Sequence, residues 1–330
     1  MHKPVMVPHE LISFIEEGDK FIIVGHQEPD GDSVGSQIVL GKALNRLGKQ
    51  ILLCSAGPFS RTEISCYQNQ FTSSISDLDR YGARLIIVDC SILSRTGLAS
   101  LLAGLPTAII DHHEPGSYAD NSSVLSPVFI DPQAPSVTFM IFSLIKALGV
   151  SLNAEEAELL LFGLCTDSGF FRHTTDNDAA TFEHTAELIR NGASPQRVFK
   201  AINGGKTFNS LVFLGTLLSN ARSYFSGKLI VTHETQEETH RFGLESRDSD
   251  TLYQLLQSIA TVDAVVVIRQ ETPQNCTIGF RSQGTVDVSK IAEQFGGGGH
   301  ANAAGASIPG TIDEVWDKLH PFFEQILAPS

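Results

Sequence analysis

The feature that most constrains this chain is a repeated ending. Four short runs of β-branched and aliphatic residues, KFIIV (20–24), ILLC (51–54), RLIIV (84–88) and TAII (107–110), alternate with stretches of helical periodicity. Three of them lead into acidic or imidazole side chains. His26, Asp30 and Asp32 follow the first run, Asp89 the third, and Asp111, His112 and His113 the fourth. Near-continuous apolar strands joined by helical crossovers imply a parallel sheet covered on both faces. In such a sheet ligands bind beyond the carboxyl ends of the strands, where adjacent loops converge. The pattern therefore delivers carboxylates and imidazoles to one edge.

Ser33–Gly48 and Pro135–Gly149 carry helix-period apolar residues and stop at glycine. Helical patterning continues from Asn153 to about Ser219 and brings a further acid, Asp167, in GLCTDSGFFRHTTD (163–176). A second strand-rich block follows, with KLIVTHE (228–234), DAVVVIRQ (263–270), CTIGFRS (276–282) and a helix near Asp250–Ile259. A chain of 330 residues is long for one core. The expected fold is α/β: an N-terminal parallel-sheet domain with helices on both faces over 1–195, a helical linker over 196–225, and a smaller α/β domain over 226–330.

A net charge of −14 opposes a role on long nucleic acid, whose affinity comes mostly from Lys and Arg neutralising phosphates. A short phosphorylated ligand in a local pocket remains compatible. The longest apolar run, LLLFGLC (159–165), falls well short of the ~20 residues that cross a bilayer. The first twenty residues lack an export signal's apolar core, and the five cysteines form no C-x-x-C pair. Reduced thiols and a cytoplasmic location are expected.

One aspartate after a strand is ordinarily a turn or a helix cap, and Pro29-Asp30-Gly31 has ordinary turn chemistry. A gathering of such residues at three strand ends needs another account. Gathered carboxylates repel unless cations neutralise them, so the edge reads as a metal site.

The motifs HQEPDGDSVGS (26–36), VDCS (88–91), DHHEP (111–115) and TDSGFF (166–171) resemble those of the DHH phosphoesterase superfamily. The segment GFRSQGTVDVSKIAEQFGGGGHANAAG (279–305) resembles its DHHA1 domain. Within the superfamily the chain is most similar in length and composition to the two-domain, NrnA-like oligoribonuclease/3′-phosphoadenosine-5′-phosphate phosphatase group. Family II inorganic pyrophosphatases carry a different second domain, and RecJ exonucleases are larger.

The resemblance implies two divalent ions. His26 and Asp30 would hold one; Asp32, His112 and Asp167 would hold the other; Asp89 would bridge them. Four carboxylates and two imidazoles suit Mn²⁺, with Mg²⁺ or Co²⁺ as alternatives. Such a pair activates the hydroxide between the ions and clamps the phosphoryl oxygens of an in-line displacement. His113 would face the scissile phosphate beside Asp89, and Asp111 would orient an imidazole from behind. Ser33 and Ser36 read as caps of the following helix.

In the second domain, Gly297, Gly298 and Gly299 would let backbone amides approach a phosphate, with His300 and Arg281 supplying charge. Phe170, Phe171 and Phe280 are candidates for base stacking, though most of the 20 phenylalanines must be core. Arg95 and Arg172 lie near motif residues without an assigned role. A cleft between the domains would suit a short substrate. The implied activity is hydrolysis of short oligoribonucleotides such as pApA to mononucleotides, with nucleoside 3′,5′-bisphosphate (pAp) as a further substrate. The alternative is a cyclic dinucleotide phosphodiesterase. A homodimer is also expected. A regulatory nucleotide-binding protein or an α/β scaffold would not need the full ligand set.

Overall fold

The computed structural model describes residues 6–113, 125–172, 174, 178–284 and 286–328. Glu114 and Pro115 of the fourth-strand motif lie outside the described residues, as do 173, 175 and 176. The chain divides into two compact units, Met1–Gly205 and Lys206–Ser330.

The first unit is built on β1 (Lys20–Val24), β2 (Gln50–Cys54), β3 (Ala83–Val88), β4 (Thr107–Asp111) and β5 (Leu125–Ile130). They pair in parallel in the order β2-β1-β3-β4-β5. Successive side chains of β1 serve opposite layers. Phe21 and Ile23 join a core with Val34, Ile38, Met140 and Leu160, whereas Ile22 and Val24 pack with Ile75, Leu98 and Leu102. Both faces are therefore covered, and each fully buried aliphatic side chain contributes about 1.5–3 kcal/mol. β5 carries Pro127 and sits at the edge of the sheet, where a residue without an N–H is tolerated.

Three helices of this unit, Gly31–Arg46, Val137–Ala147 and Ala154–Asp167, stack on one face. The first and third cross closely. A Cβ on Gly35 would lie 2.9 Å from the Leu159 carbonyl oxygen, and one on Gly163 would lie 3.1 Å from the Asp32 Cα. The cap of Gly31–Arg46 differs from the expectation. Asp30, in extended backbone one residue ahead of the helix, accepts at Oδ1 from the Asp32 and Ser33 amides, both at 3.1 Å. That is the geometry an N-cap requires. Ser33 and Ser36 lie inside the helix and are fully buried, so they are not its caps.

The second unit holds β6 (Arg222–Tyr224), β7 (Leu229–Glu234), β8 (Ala264–Thr272), β9 (Asn275–Ser282), β10 (Gly298–His300) and β11 (Ala303–Pro309). Their order is β10-β11-β9-β8-β7-β6, with β7 and β8 parallel and the other pairs antiparallel. Helices Val288–Glu293 and Ile312–Leu327 cover one face over Val266, Ile268, Ile278 and Phe280. Phe280 is thus plain core and offers no stacking surface. On the other face Phe213, Leu217, Leu252 and Tyr253, from helices Phe208–Asn220 and Ser249–Gln257, pack on Ile230 of β7 and on Val265 and Val267 of β8. Within 196–225, helix Pro195–Asn203 places Val198 in the first core, while Phe208–Asn220 belongs to the second.

Candidate metal centre

The loop after β1 presents His26. Its Nδ1 lies 2.8 Å from the Gln27 carbonyl oxygen, and its Nε2 lies 3.4 Å from Asp89 Oδ2 and 3.8 Å from Asp30 Oδ2. His112, just past β4, is held alike. Its Nδ1 is 3.1 Å from the Ala134 carbonyl oxygen, and its Nε2 faces Asp167 Oδ2 at 3.1 Å and Asp89 Oδ1 at 3.8 Å. A carbonyl only accepts, so each Nδ1 carries the hydrogen, and each Nε2, once free of a proton, has a lone pair for a cation. Among the described residues the buried His112 Nε2 makes no hydrogen bond of good geometry, the Asp167 oxygen lying near it but out of line.

The carboxylates are fixed by backbone. Asp89 follows β3 with φ 60°, a conformation uncommon for a non-glycine residue, while its amide continues the ladder to Ile110. Asp32 is fully buried against the N-terminus of helix Val137–Ala147. Its Oδ1 accepts from the Thr138 amide (2.8 Å) and hydroxyl (2.6 Å), and its Oδ2 accepts from the Val137 amide (2.6 Å). One lone pair of Oδ2 stays available. Asp30 divides its oxygens in the same spirit, with Oδ1 capping the helix and Oδ2 turned to His26.

Two three-residue groups result, His26–Asp30–Asp89 and Asp32–His112–Asp167, each with donor atoms within 4.8 Å of one another. Asp89, His112 and His113 also fall within that distance. The His113 atom nearest Asp89 is Nδ1, and it already lies 2.8 Å from Asp111 Oδ1. That third grouping is therefore the weakest, and Asp89 adjoins both of the others. The imidazole that Asp111 steadies is His113, whose amide it also accepts at 3.2 Å.

The charge balance fits divalent cations. Burial pushes the Asp89 carboxyl well above its ordinary range and raises Asp32 as well. Burial, then the charges of Asp32 and Asp30, carry Asp167 up to about 8. His26 is pulled down by burial, yet Asp30 and Asp89 hold it up to about 10. Burial would raise Asp30, but the His26 hydrogen bond and charge bring it to about 2. A crowd of buried carboxyls must hold protons or metal. At pH 7 both Asp167 and His26 carry a proton in the metal-free fold, and a metal ligand must release it. Titration with Mn²⁺ at pH 7 is thus expected to liberate roughly two or more protons per chain, measured by calorimetry in buffers of different ionisation enthalpy. Affinity should rise with pH toward 8. Binding without proton release would show that these groups are not the ligands.

Sequence reasoning passed over Arg61, whose positive charge reaches both Asp30 and Asp167. Its only signal was an arginine in the loop beyond β2, at the same sheet edge. Arg172 turns its Nε to the Gly169 carbonyl at 2.8 Å, and the Arg95 carbonyl receives the Gln27 amide at 2.8 Å. Phe170 and Phe171, both at positive φ just past Asp167, pack on Phe199 and Phe182 respectively.

The glycine run is divided between two elements. The Gly296 and Gly297 amides donate to the Glu293 and Ala292 carbonyls at 3.1 and 2.9 Å, closing helix Val288–Glu293. Gly298, Gly299 and His300 form edge strand β10. Arg281 projects from β9 with its guanidinium carbon 4.7 Å from the Tyr253 ring centre, and it makes no ion pair among the described residues.

Comparison with known proteins agrees with this layout. The family model for the DHH family N-terminal domain matches residues 20–164, and that for the DHHA1 domain matches residues 227–328. The Bacillus subtilis bifunctional oligoribonuclease and PAP phosphatase NrnA is 29% identical over 330 residues, covering 97% of this chain and 96% of that protein. The cyclic-di-AMP phosphodiesterase GdpP of the same organism is 25% identical and covers 95% of this chain, but only 49% of that longer protein. A crystal structure of an exopolyphosphatase-related protein from Bacteroides fragilis superposes with a TM-score of 0.77 at 24% identity, covering 96% of each chain. With both domain models matched in order and carboxylates and imidazoles gathered at the strand ends, the chain belongs to the DHH family as a two-domain DHH–DHHA1 hydrolase.

Proposed function

We propose that this hydrolase cleaves short oligoribonucleotides to mononucleotides and also removes phosphate from nucleoside 3′,5′-bisphosphates, using two Mn²⁺ ions. The observation that carries this reading is the pair of candidate ligand groups, His26–Asp30–Asp89 and Asp32–His112–Asp167. End-to-end similarity to an oligoribonuclease and PAP phosphatase supports the substrate class. GdpP matches over only half of its own length, so a cyclic dinucleotide is the weaker choice.

His26 Nε2 and Asp30 Oδ2 would hold one ion, Asp32 Oδ2, His112 Nε2 and Asp167 the other, and Asp89 both. Bound ions would neutralise phosphoryl charge and acidify water at the centre. The rest falls to side chains of this chain. Asp111 accepts at Oδ1 from His113 Nδ1 and fixes the ring, which would turn its half-exposed Nε2 to a phosphoryl or leaving oxygen. Arg281 and His300 would grip a terminal phosphate, together with amides of Gly298 and Gly299. The Gly297 amide is already engaged by Ala292.

The test is a screen of the Mn²⁺-loaded protein against pApA, short RNAs, cyclic dinucleotides and pAp. Linear dinucleotides should be cleaved fastest. Opening of cyclic dinucleotides with linear ones untouched would overturn the reading. Arg281→Ala should keep its metals and lose a charge-assisted contact of about 1.5–3 kcal/mol. That is about 10- to 150-fold, expressed mainly in KM and confined to substrates with a terminal phosphate. An equal loss on bis-p-nitrophenyl phosphate would remove Arg281 from that role.

A further inference from the structure

Helix Phe208–Asn220 is apolar on both of its sides. The inner side is buried, with Phe213, Leu214 and Leu217 in one core with Ile230 and Val265 of the second sheet. On the outer side Phe208 is 80% exposed, Leu211 52% and Val212 36%. Gly215 lies on that side too, and a Cβ there would meet nothing within 4 Å. A surface helix ordinarily turns charged and polar groups outward, whereas a helix apolar all round is buried. The sequence FNSLVFLGTLLSN holds no charged residue. Its outer side therefore has the composition of a covered surface.

The spacing of these outer residues is self-complementary. Phe208 and Gly215 are seven positions apart, which is two turns or ~10 Å along one face. Leu211 and Val212 sit at the midpoint between them. A two-fold axis passing between Leu211 and Val212 would lay the helix antiparallel on a second copy. Phe208 then falls over the partner's Gly215, and Leu211 beside the partner's Val212. Contacts about a two-fold axis are reciprocal, so each copy supplies one knob and one hole. Packed helix axes lie ~8–10 Å apart according to the side chains at the crossing, and glycine admits the closer approach.

Charge and area favour the same occupant. Each chain carries −14, so two copies repel over most of their surface and meet at least cost across a face without charge. A lipid surface or an RNA would call for Lys and Arg on this helix, which has neither. The turn Leu244–Ser246 packs on the helix and adds an exposed Leu244. Specific interfaces of ~1,600 Å² are a little over half apolar, and two copies of Phe208, Leu211, Val212 and Leu244 supply roughly 800 Å².

We propose that helix Phe208–Asn220 is the face through which two copies of this chain form a homodimer, paired antiparallel with each Phe208 seated on the partner's Gly215.

Sedimentation velocity of the full-length protein should show a dimer at micromolar concentration. Added salt should tighten it by screening the like charges. Leu211→Glu, at an exposed position, should stay folded by circular dichroism and raise the dissociation constant about a hundredfold or more. Gly215→Leu replaces a poor helix former at an open position and should also fold, yet it fills the hole and should weaken the dimer about tenfold or more. Adding Phe208→Ala to Gly215→Leu exchanges knob and hole, and should restore the dimer. A protein that stays monomeric up to roughly 100 µM overturns the proposal. So does a dimer indifferent to Leu211→Glu, or a Gly215→Leu defect that Phe208→Ala deepens instead of repairing.

Discussion

Protein stripped with a chelator is expected to lose hydrolysis of every substrate, and to regain it with Mn²⁺ in preference to Zn²⁺ or Ca²⁺. The ligand groups mix carboxylate oxygen with imidazole nitrogen and contain no thiolate, which disfavours a zinc-selective site. Ca²⁺ prefers six to eight oxygen ligands at longer distances and would sit poorly among three donors per group. The measurement is turnover against added ion after dialysis. Undiminished turnover in protein shown by elemental analysis to be metal-free would remove the two-ion centre.

Asp89→Asn should lower turnover by about a thousandfold or more, because the amide gives up a charge that belongs to one candidate ligand group and lies 3.8 Å from His112 of the other. Several kcal/mol of transition-state stabilisation, at ~1.4 kcal/mol per decade, set that scale. Asparagine tolerates left-handed backbone, so the φ of 60° at this position should persist. The folded-state carboxyl is raised, so in metal-free protein it favours the fold below its unfolded pKa of ~3.9, and that contribution is lost as pH rises through its folded value. The variant lacks this loss, and near pH 8 its metal-free form should melt no lower than the unsubstituted protein. Near-normal turnover would mean that Asp89 does not serve both groups.

The strands of the first sheet were legible because burial on both faces demands unbroken aliphatic runs, as in KFIIV and RLIIV. Their endings disclosed the candidate ligands, since carboxylates and imidazoles there oppose plain burial. Other elements left no such trace. β5 is interrupted by Pro127, which only an edge position tolerates, and β10 and β11 are written in glycine and alanine, which strands ordinarily avoid. Helix Ile312–Leu327 contains Pro321, which on sequence grounds should stop it. Ser33 looked like a cap because its type suits one, yet Asp30 had the better backbone position and took the role.

The order of the elements along the chain also imposes a calendar on the protein's birth. A chain leaves the ribosome from its N-terminus and folds as length allows. His26, Asp30 and Asp89 are all present once β3 has emerged. His112 waits for β4, and Asp167 stands at the end of a helix made later still. One candidate group therefore reaches its full set of donors while the other has only Asp32 in hand.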